Sequence, residues 1–224
     1  MNKKSKKLKN KKTNYKGITI LDPRSTYIGP GVQIAKGNII YPNTFLKGKI
    51  KIGRGNTLGP NLHIEGNVKI GSDNNLSYSH ITSSVIGNNN SVGPYARLRD
   101  KVVLANNINI GNFVEIKNSK IGDRTQIAHL SYIGDSIIGR SVNIGAGTIT
   151  ANYNSVTGKK SKTIIKDRAS TGSNSVLVAP ITINEDSIVA AGSVVTKNVP
   201  KNALAITRPK QENKLNWIKK VTKR

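Results

Sequence analysis

Aliphatic side chains recur at every sixth residue along most of this chain, and that period decides which folds are open to it. Ile28, Ile34, Ile40, Leu46, Ile52, Leu58, Ile64, Ile70 and Leu76 stand at unbroken spacing of six. After a four-residue slip the phase resumes at Ile86, Val92, Leu98, Leu104, Ile110 and Ile116. It shortens once to give Ile121, Ile127 and Ile133, and again to give Ile138 and Ile144. Beyond a loop it returns at Ile165, Leu177, Ile183, Val189 and Val195, with Thr171 as a polar exception.

A six-residue period fits neither the 3.6-residue helix nor an open-ended two-residue strand alternation, so each unit must turn a corner. Gly commonly follows the aliphatic residue, as in IGRGNT, LGPNLH and IGNFVE, and Asn, Asp, Pro and Gly fill the intervening positions. These residues tolerate tight or left-handed backbone. Short strands joined by such corners stack into a triangular prism. Three hexapeptides make one coil, every eighteenth residue lies on the next rung, and the aliphatic column faces inward. Only 4% of residues are aromatic, which suits thin repeated layers of Ile, Val, Leu and Ala.

At 224 residues the chain can form a single elongated body. The organisation expected is a lysine-rich, disordered leader over residues 1–15, a β-helix over 16–208, a loop over 150–163 that interrupts the repeat, and a terminal arm over 209–224. The arm is read either as a short helix or extended segment packing by Trp217, or as a frayed terminus. There is no Cys, so disulfides, thiolate metal sites and cysteine nucleophiles are excluded, and a reducing compartment such as the cytoplasm is the expectation. No apolar run is long enough to cross a bilayer. The formal charge is +25, and seven of those charges are lysines between Lys3 and Lys12. A field of this sign favours anions of every kind, phosphorylated small molecules and nucleic acid alike, and does not choose among them.

The blocks VGPYARLRD, GNFVEIKNSKIG, AHLSYIGDS, NIGAGTITANYN, KTII, LVAP, IVAAGSVVTKNVP and NALAITRPKQ follow one another in order. Together they resemble the acetyltransferase half of the bifunctional N-acetylglucosamine-1-phosphate uridylyltransferase/glucosamine-1-phosphate acetyltransferase family, over roughly Gly17 to Gln211. The resemblance implies an all-β, left-handed parallel β-helix; the hand does not follow from the period. It implies transfer of acetyl from acetyl-CoA to the amine of glucosamine 1-phosphate, feeding UDP-N-acetylglucosamine synthesis, by a homotrimer with sites between prisms. The family's other half has no counterpart here, so uridylylation is not expected of this chain, and a separate polypeptide could supply it.

By the same resemblance His129 is the catalytic base, a role suited to a side chain that titrates near neutrality. Arg99 and Lys117 take the sugar phosphate; they stand eighteen residues apart, the spacing that stacks two side chains on one face. Lys160 is the third cation, with Lys159 and Lys162 as alternatives in a loop two residues longer than usual. Tyr132 and Asn143 are assigned to the sugar. Asn152 and Tyr153 are assigned to the sugar amine and acetyl group, and Ala146, Ser173, Ala191 and Arg208 to acetyl-CoA. The sequence departs from the family at Asp100-Lys101, where Pro-Gly is usual; this alters the corner and sets a carboxylate beside Arg99.

A zinc site built from His63, His80 and His129 is also weighed. They occupy the sixth, fifth and third places of their hexapeptides, so they are expected to point in different directions, and no metal is expected for acetylation. Two other readings stay open: another hexapeptide sugar or amine acyltransferase, and a non-catalytic basic solenoid binding anionic partners.

Overall fold

A computed structural model describes residues 16–222; the lysine-rich leader expected over residues 1–15 lies outside them. The described residues form a parallel β-solenoid of about ten turns, a left-handed parallel β-helix. It is built from short strands with one brief helix, Trp217–Val221. Each coil contributes one short strand to each of three faces. Ile40, Leu58, Leu76, Val92, Ile110, Ile127, Ile144, Thr171 and Val189 climb the first face in register. Ile64, Ile81, Leu98, Ile116 and Ile133 climb the second, and Ile70, Ile86, Leu104, Ile121, Ile138, Ile165 and Ile183 the third. These inward residues form one continuous core. Thr171 takes its place in it, buried, with its hydroxyl 2.9 Å from that of Thr148. Thr150 is a second buried polar member.

Corners are set by single residues in the left-handed region, including Asn43, Asn61, Asp73, Asn89, Asn107 and Asn174, which explains the abundance of Asn and Asp between the aliphatic positions. One corner column also supplies buried glue. Asn38 Oδ1 accepts hydrogen bonds from the backbone N–H and Nδ2 of Asn56, both at 2.9 Å. Asn56 Oδ1 does the same for Asn74, Asn74 Oδ1 accepts from the N–H of Asn90, and Asn90 Oδ1 from that of Ile108. Each amide thereby satisfies donors that the corner would otherwise bury without partners.

The rungs are not uniform. Residues on adjacent coils pair 18 apart between Asn56 and Asn74, 16 apart between Asn74 and Asn90, and 17 apart between Asn118 and Asp135. The slip expected after Leu76 resolves into two five-residue steps, because Ile81 is itself an inward residue paired with Ile64 and Leu98. This overturns one expectation from the sequence. The shortened coil brings His80 into register directly beside His63, so those two side chains point the same way, whereas His129 lies on a later coil. Across the loop Arg140 meets Asp167, 27 residues on.

After the last rungs the terminal helix is exposed along its length, with Lys214 Nζ 5.6 Å from the Trp217 ring centroid. Among the described residues no helix is long and apolar enough to cross a membrane.

The buried amide column yields a direct test. Asn56→Ala removes an acceptor from two buried donors on the next rung, with an expected loss of about 3 kcal/mol of unfolding free energy. Asn106 makes the same two bonds to Asn88 in an exposed setting, and Asn106→Ala is expected to cost about 1 kcal/mol or less. Urea unfolding of the two variants measures the contrast.

Candidate active site

The corner between the first and second faces carries His129. Its Nδ1 lies 2.8 Å from Oδ1 of Asn112, the in-register residue one coil earlier. A carboxamide oxygen can only accept, so Nδ1 carries the proton of the neutral ring and Nε2 keeps its lone pair. In the neutral ring this leaves Nε2 as the nitrogen able to accept a proton. Asn112 is a residue that the sequence reading passes over; the shortened, seventeen-residue rung that puts it beside His129 is its only signal.

The same corner column continues upward. Gly147 N–H donates to His129 O, Asn174 N–H to Ala146 O, and Gly192 N–H to Ser173 O. His129, Ala146, Ser173 and Ala191 therefore stand on successive rungs of one edge, with the Arg208 Cδ adjoining it near Gly192. The column is narrow by necessity. A Cβ on Gly172 would lie 2.3 Å from the backbone nitrogen of Ala191. Asn143 lies on the first face, in register with Gln126 and Ser170.

The cations gather at the other edge of the second face, five residues further along the coil. Arg99, Lys117 and Gly134 are in-register neighbours on successive rungs. Arg99 Nε donates to Glu115 Oε1 at 2.7 Å and its Nη1 to Asp100 Oδ2 at 2.8 Å, while Lys117 Nζ is 3.8 Å from the same Asp100 oxygen. Asp100 and Lys101, the pair that departs from Pro-Gly, both adopt positive φ, 57° and 69°. This corner aims the carboxylate at the guanidinium.

The interrupting loop leaves from this edge and folds back on itself through a bridge between Tyr153 and Lys160, which brings the Lys160 ammonium against that of Lys117. That contact, with burial and the nearby Arg99, holds the Lys117 ammonium below its ordinary lysine pKa, partly opposed by Asp100. Of the three loop lysines, Lys160 is the one that meets Lys117.

Beneath these cations the buried carboxylate of Asp135 accepts hydrogen bonds from Nδ2 of Asn118, at 2.5 Å, and from Nδ2 of Asn152. Asn152 is thereby fixed at the cation edge. Gly134, also unnoticed in the sequence, makes room here. A Cβ at this position would sit 2.6 Å from the Tyr132 hydroxyl and 2.8 Å from Asn152 Nδ2. Tyr132 thus leans across Gly134 toward the cations, and Asn152 and Tyr153 share that edge with Arg99, Lys117 and Lys160. They are apart from His129, Ala146, Ser173 and Ala191.

Two half-sites result, at opposite ends of one face: a base below a column of small residues, and a cluster of cations with fixed amides and a phenol. Beside the His129 column runs an exposed ridge of Tyr78, Tyr95, Phe113 and Leu130. Tyr95 stacks on Phe113 with ring centroids 5.5 Å apart and planes 7° apart. A shallow groove of about 450 Å³ lies elsewhere, lined by Gln33, Lys51 and Lys69, and contains none of these groups.

A family model described as the GMPPB C-terminal domain matches residues 80–199, more than half of the chain. A protein from Thermosipho melanesiensis named bifunctional protein GlmU is 49% identical over 218 residues, which cover 97% of this chain and 48% of that protein. One of the same name from a Nostoc species is 50% identical over 204 residues, 91% of this chain and 45% of its own length. The chain spans about half the length of these relatives. In fold it is similar to UDP-N-acetylglucosamine acyltransferases from Arabidopsis, with TM-score 0.60 and 23% identity over 84% of this chain and 69% of that one, and from Francisella novicida, with TM-score 0.57 and 22% identity over 83% and 66%. The chain belongs to this family of C-terminal hexapeptide-repeat domains and corresponds to the C-terminal part of the bifunctional GlmU proteins.

Proposed function

We propose that this chain is an acyltransferase of amino-sugar precursor synthesis that transfers acetyl from acetyl-CoA to the amine of glucosamine 1-phosphate, giving N-acetylglucosamine 1-phosphate and CoA. The observation that carries the reading is the Asn112–His129 pair, which leaves Nε2 free to accept a proton. The amine nitrogen attacks the thioester carbonyl, and Nε2 takes the ammonium proton as the C–N bond forms. The tetrahedral oxyanion then collapses, the C–S bond breaks, and the thiolate of CoA leaves with the proton that His129 returns. Backbone groups beside Ala146, Ser173 and Ala191 accept the thin pantetheine arm, and Arg208 meets a CoA phosphate. Arg99, Lys117 and Lys160 hold the sugar phosphate, with Tyr132, Asn143, Asn152 and Tyr153 around the sugar and the acetyl group.

Because His129 and the cations occupy opposite ends of one face, the reading includes a homotrimer in which the base edge of one prism faces the cation edge of its neighbour. The exposed ridge of Tyr78, Tyr95, Phe113 and Leu130 supports this, since burying such a ridge removes apolar surface from water. Asp100 is read as a competitor of the phosphate for Arg99. The basic-solenoid alternative draws on net charge alone and lacks a comparable constellation.

Release of CoA in a coupled assay tests the reaction. His129→Ala is expected to lower kcat by about a hundred- to ten-thousandfold, and Asn112→Ala on the order of ten- to a hundredfold through misorientation of the ring. Asn112→Ala should also shift the acid limb of the pH–rate profile, a change that a packing defect alone would not produce. Absence of turnover with glucosamine 1-phosphate in the intact wild-type oligomer would refute the proposal.

Two charge effects are expected in the KM for the sugar phosphate. Asp100→Asn keeps a residue that tolerates the left-handed corner and frees Arg99, so KM should fall about threefold or more with kcat unchanged; a rise in KM contradicts the competitor role. Lys117, held below its ordinary pKa by Lys160, loses its proton earlier as pH rises, so KM should climb on the alkaline side. In Lys160→Met that limb should move to higher pH, because the neighbouring ammonium is gone.

A further inference from the structure

The stretch in which the coil shortens brings together three metal-ligating side chains that the acetyl-transfer site does not use. His63 and Glu65 lie on the strand Leu62–Ile70, and His80 begins the strand His80–Thr82. His63 pairs in register with His80, and both Nε2 atoms face the same carboxylate, at 3.6 Å from Glu65 Oε2 and 3.5 Å from Glu65 Oε1 respectively. One ligand atom from each of the three residues falls within 4.8 Å of the others. The edge of a tetrahedral zinc site with Zn–N bonds of 2.0–2.1 Å is about 3.3 Å, so the two histidine–carboxylate separations are close to it already.

Two independent features mark the cluster as more than an incidental ion pair. His80 Nε2 is a buried atom with no hydrogen-bond partner among the described residues, although it lies beside a carboxylate. Such an orphaned nitrogen is an uncommon cost in a folded protein, and a metal ion would satisfy it. The two rings are also braced. His63 stacks on Phe45 with centroids 5.8 Å apart, Phe45 stacks on Tyr27 at 4.7 Å, and His80 lies 4.9 Å from His63. Rings held in place by stacking lose little freedom on ligation.

We propose that His63, Glu65 and His80 form a divalent transition-metal site, with zinc the best match to two imidazoles and one carboxylate. The metal would join two successive coils where the rung shortens, with water completing its coordination. Lys47, in register with Glu65, and Arg97, in register with His80, are the adjacent cations. They oppose a dication and limit the affinity to roughly the micromolar range, well short of an enclosed structural zinc site. The proposal is independent of the acetyl-transfer reading, since none of its ligands belongs to that site.

Titration of the full chain with zinc chloride, followed by calorimetry and with cobalt as a visible-absorption reporter, tests the site. The expected result is one metal per chain, a tetrahedral cobalt spectrum, and a rise in Tm on zinc addition. His63→Gln and His80→Gln should each weaken binding at least tenfold, and the double variant should abolish the Tm rise. His129→Gln should leave zinc binding unchanged. Circular dichroism of the metal-free double variant separates loss of the site from loss of the fold; the substituted rings lie on the outside of the prism, and the fold is expected to persist. Equal zinc affinity in the wild type and the folded double variant would overturn the proposal, as would binding weaker than millimolar in the wild type.

Discussion

The feature on which the rest depends is the parallel hydrogen-bonded register between successive coils. Backbone N–H groups that the corners and short strands leave unpaired within their own coil find partners on the coil one rung away, through strand ladders, corner-to-corner bonds such as Asn118 N–H to Arg99 O, or the buried Asn column. Along most of the prism that ladder turns a distance of sixteen to eighteen residues in sequence, and of 27 across the loop, into a single step in space. Functional groups are consequently arranged as columns. Arg99 beneath Lys117, Asn112 beside His129, and Ala146 beneath Ser173 are all products of the same stacking. Because each coil contacts only its neighbours, the energetic consequence of a substitution is local to one rung and its two faces.

Most of the fold was legible from the sequence because a six-residue period with turn-forming residues between the aliphatic positions has few physical solutions. The spacing of Arg99 and Lys117 was legible for the same reason. Three things were not. The period gave no hand, since winding direction depends on backbone packing between coils and not on which residues face inward. The position of Ile81 was hidden, because a five-residue step mimics a slip; without it His63 and His80 read as unrelated residues when the shortened coil in fact pairs them. Asn112 and Gly134 were also hidden. Their importance comes from neighbours on the adjoining coil: Asn112 lies beside His129, seventeen residues on, and the missing Cβ of Gly134 leaves room for Tyr132 and for Asn152, eighteen residues on.

The division of the site between two edges of one face has an electrostatic logic. Three cations share one corner; Asp100 and Glu115 pair with Arg99, Asp100 also lies 3.8 Å from Lys117, and the buried Asp135 carboxylate adjoins through Asn118 and Asn152. Their mutual repulsion shows in the lowered pKa of Lys117, and a phosphate dianion placed among them would relieve it. A carboxylate at Asp100, where the resemblance leads one to expect Pro-Gly, supplies part of that compensation from within the chain. The base edge is different in kind. It has an amide-oriented imidazole and a file of small residues, a setting suited to a neutral, slender ligand arm. On the proposed reading, a sugar phosphate held by the cations would reach that imidazole where the base edge of one prism meets the cation edge of a second.

A crystal structure of the protein with CoA and N-acetylglucosamine 1-phosphate bound would test this arrangement most directly. The phosphate is expected among Arg99, Lys117 and Lys160, with Asp100 turned away from Arg99. The pantetheine arm is expected along Ala146, Ser173 and Ala191, and the sugar nitrogen within hydrogen-bonding reach of His129 Nε2 contributed by a neighbouring prism. A phosphate bound away from those three cations, or both ligands held within a single prism with His129 remote from the sugar nitrogen, would contradict it.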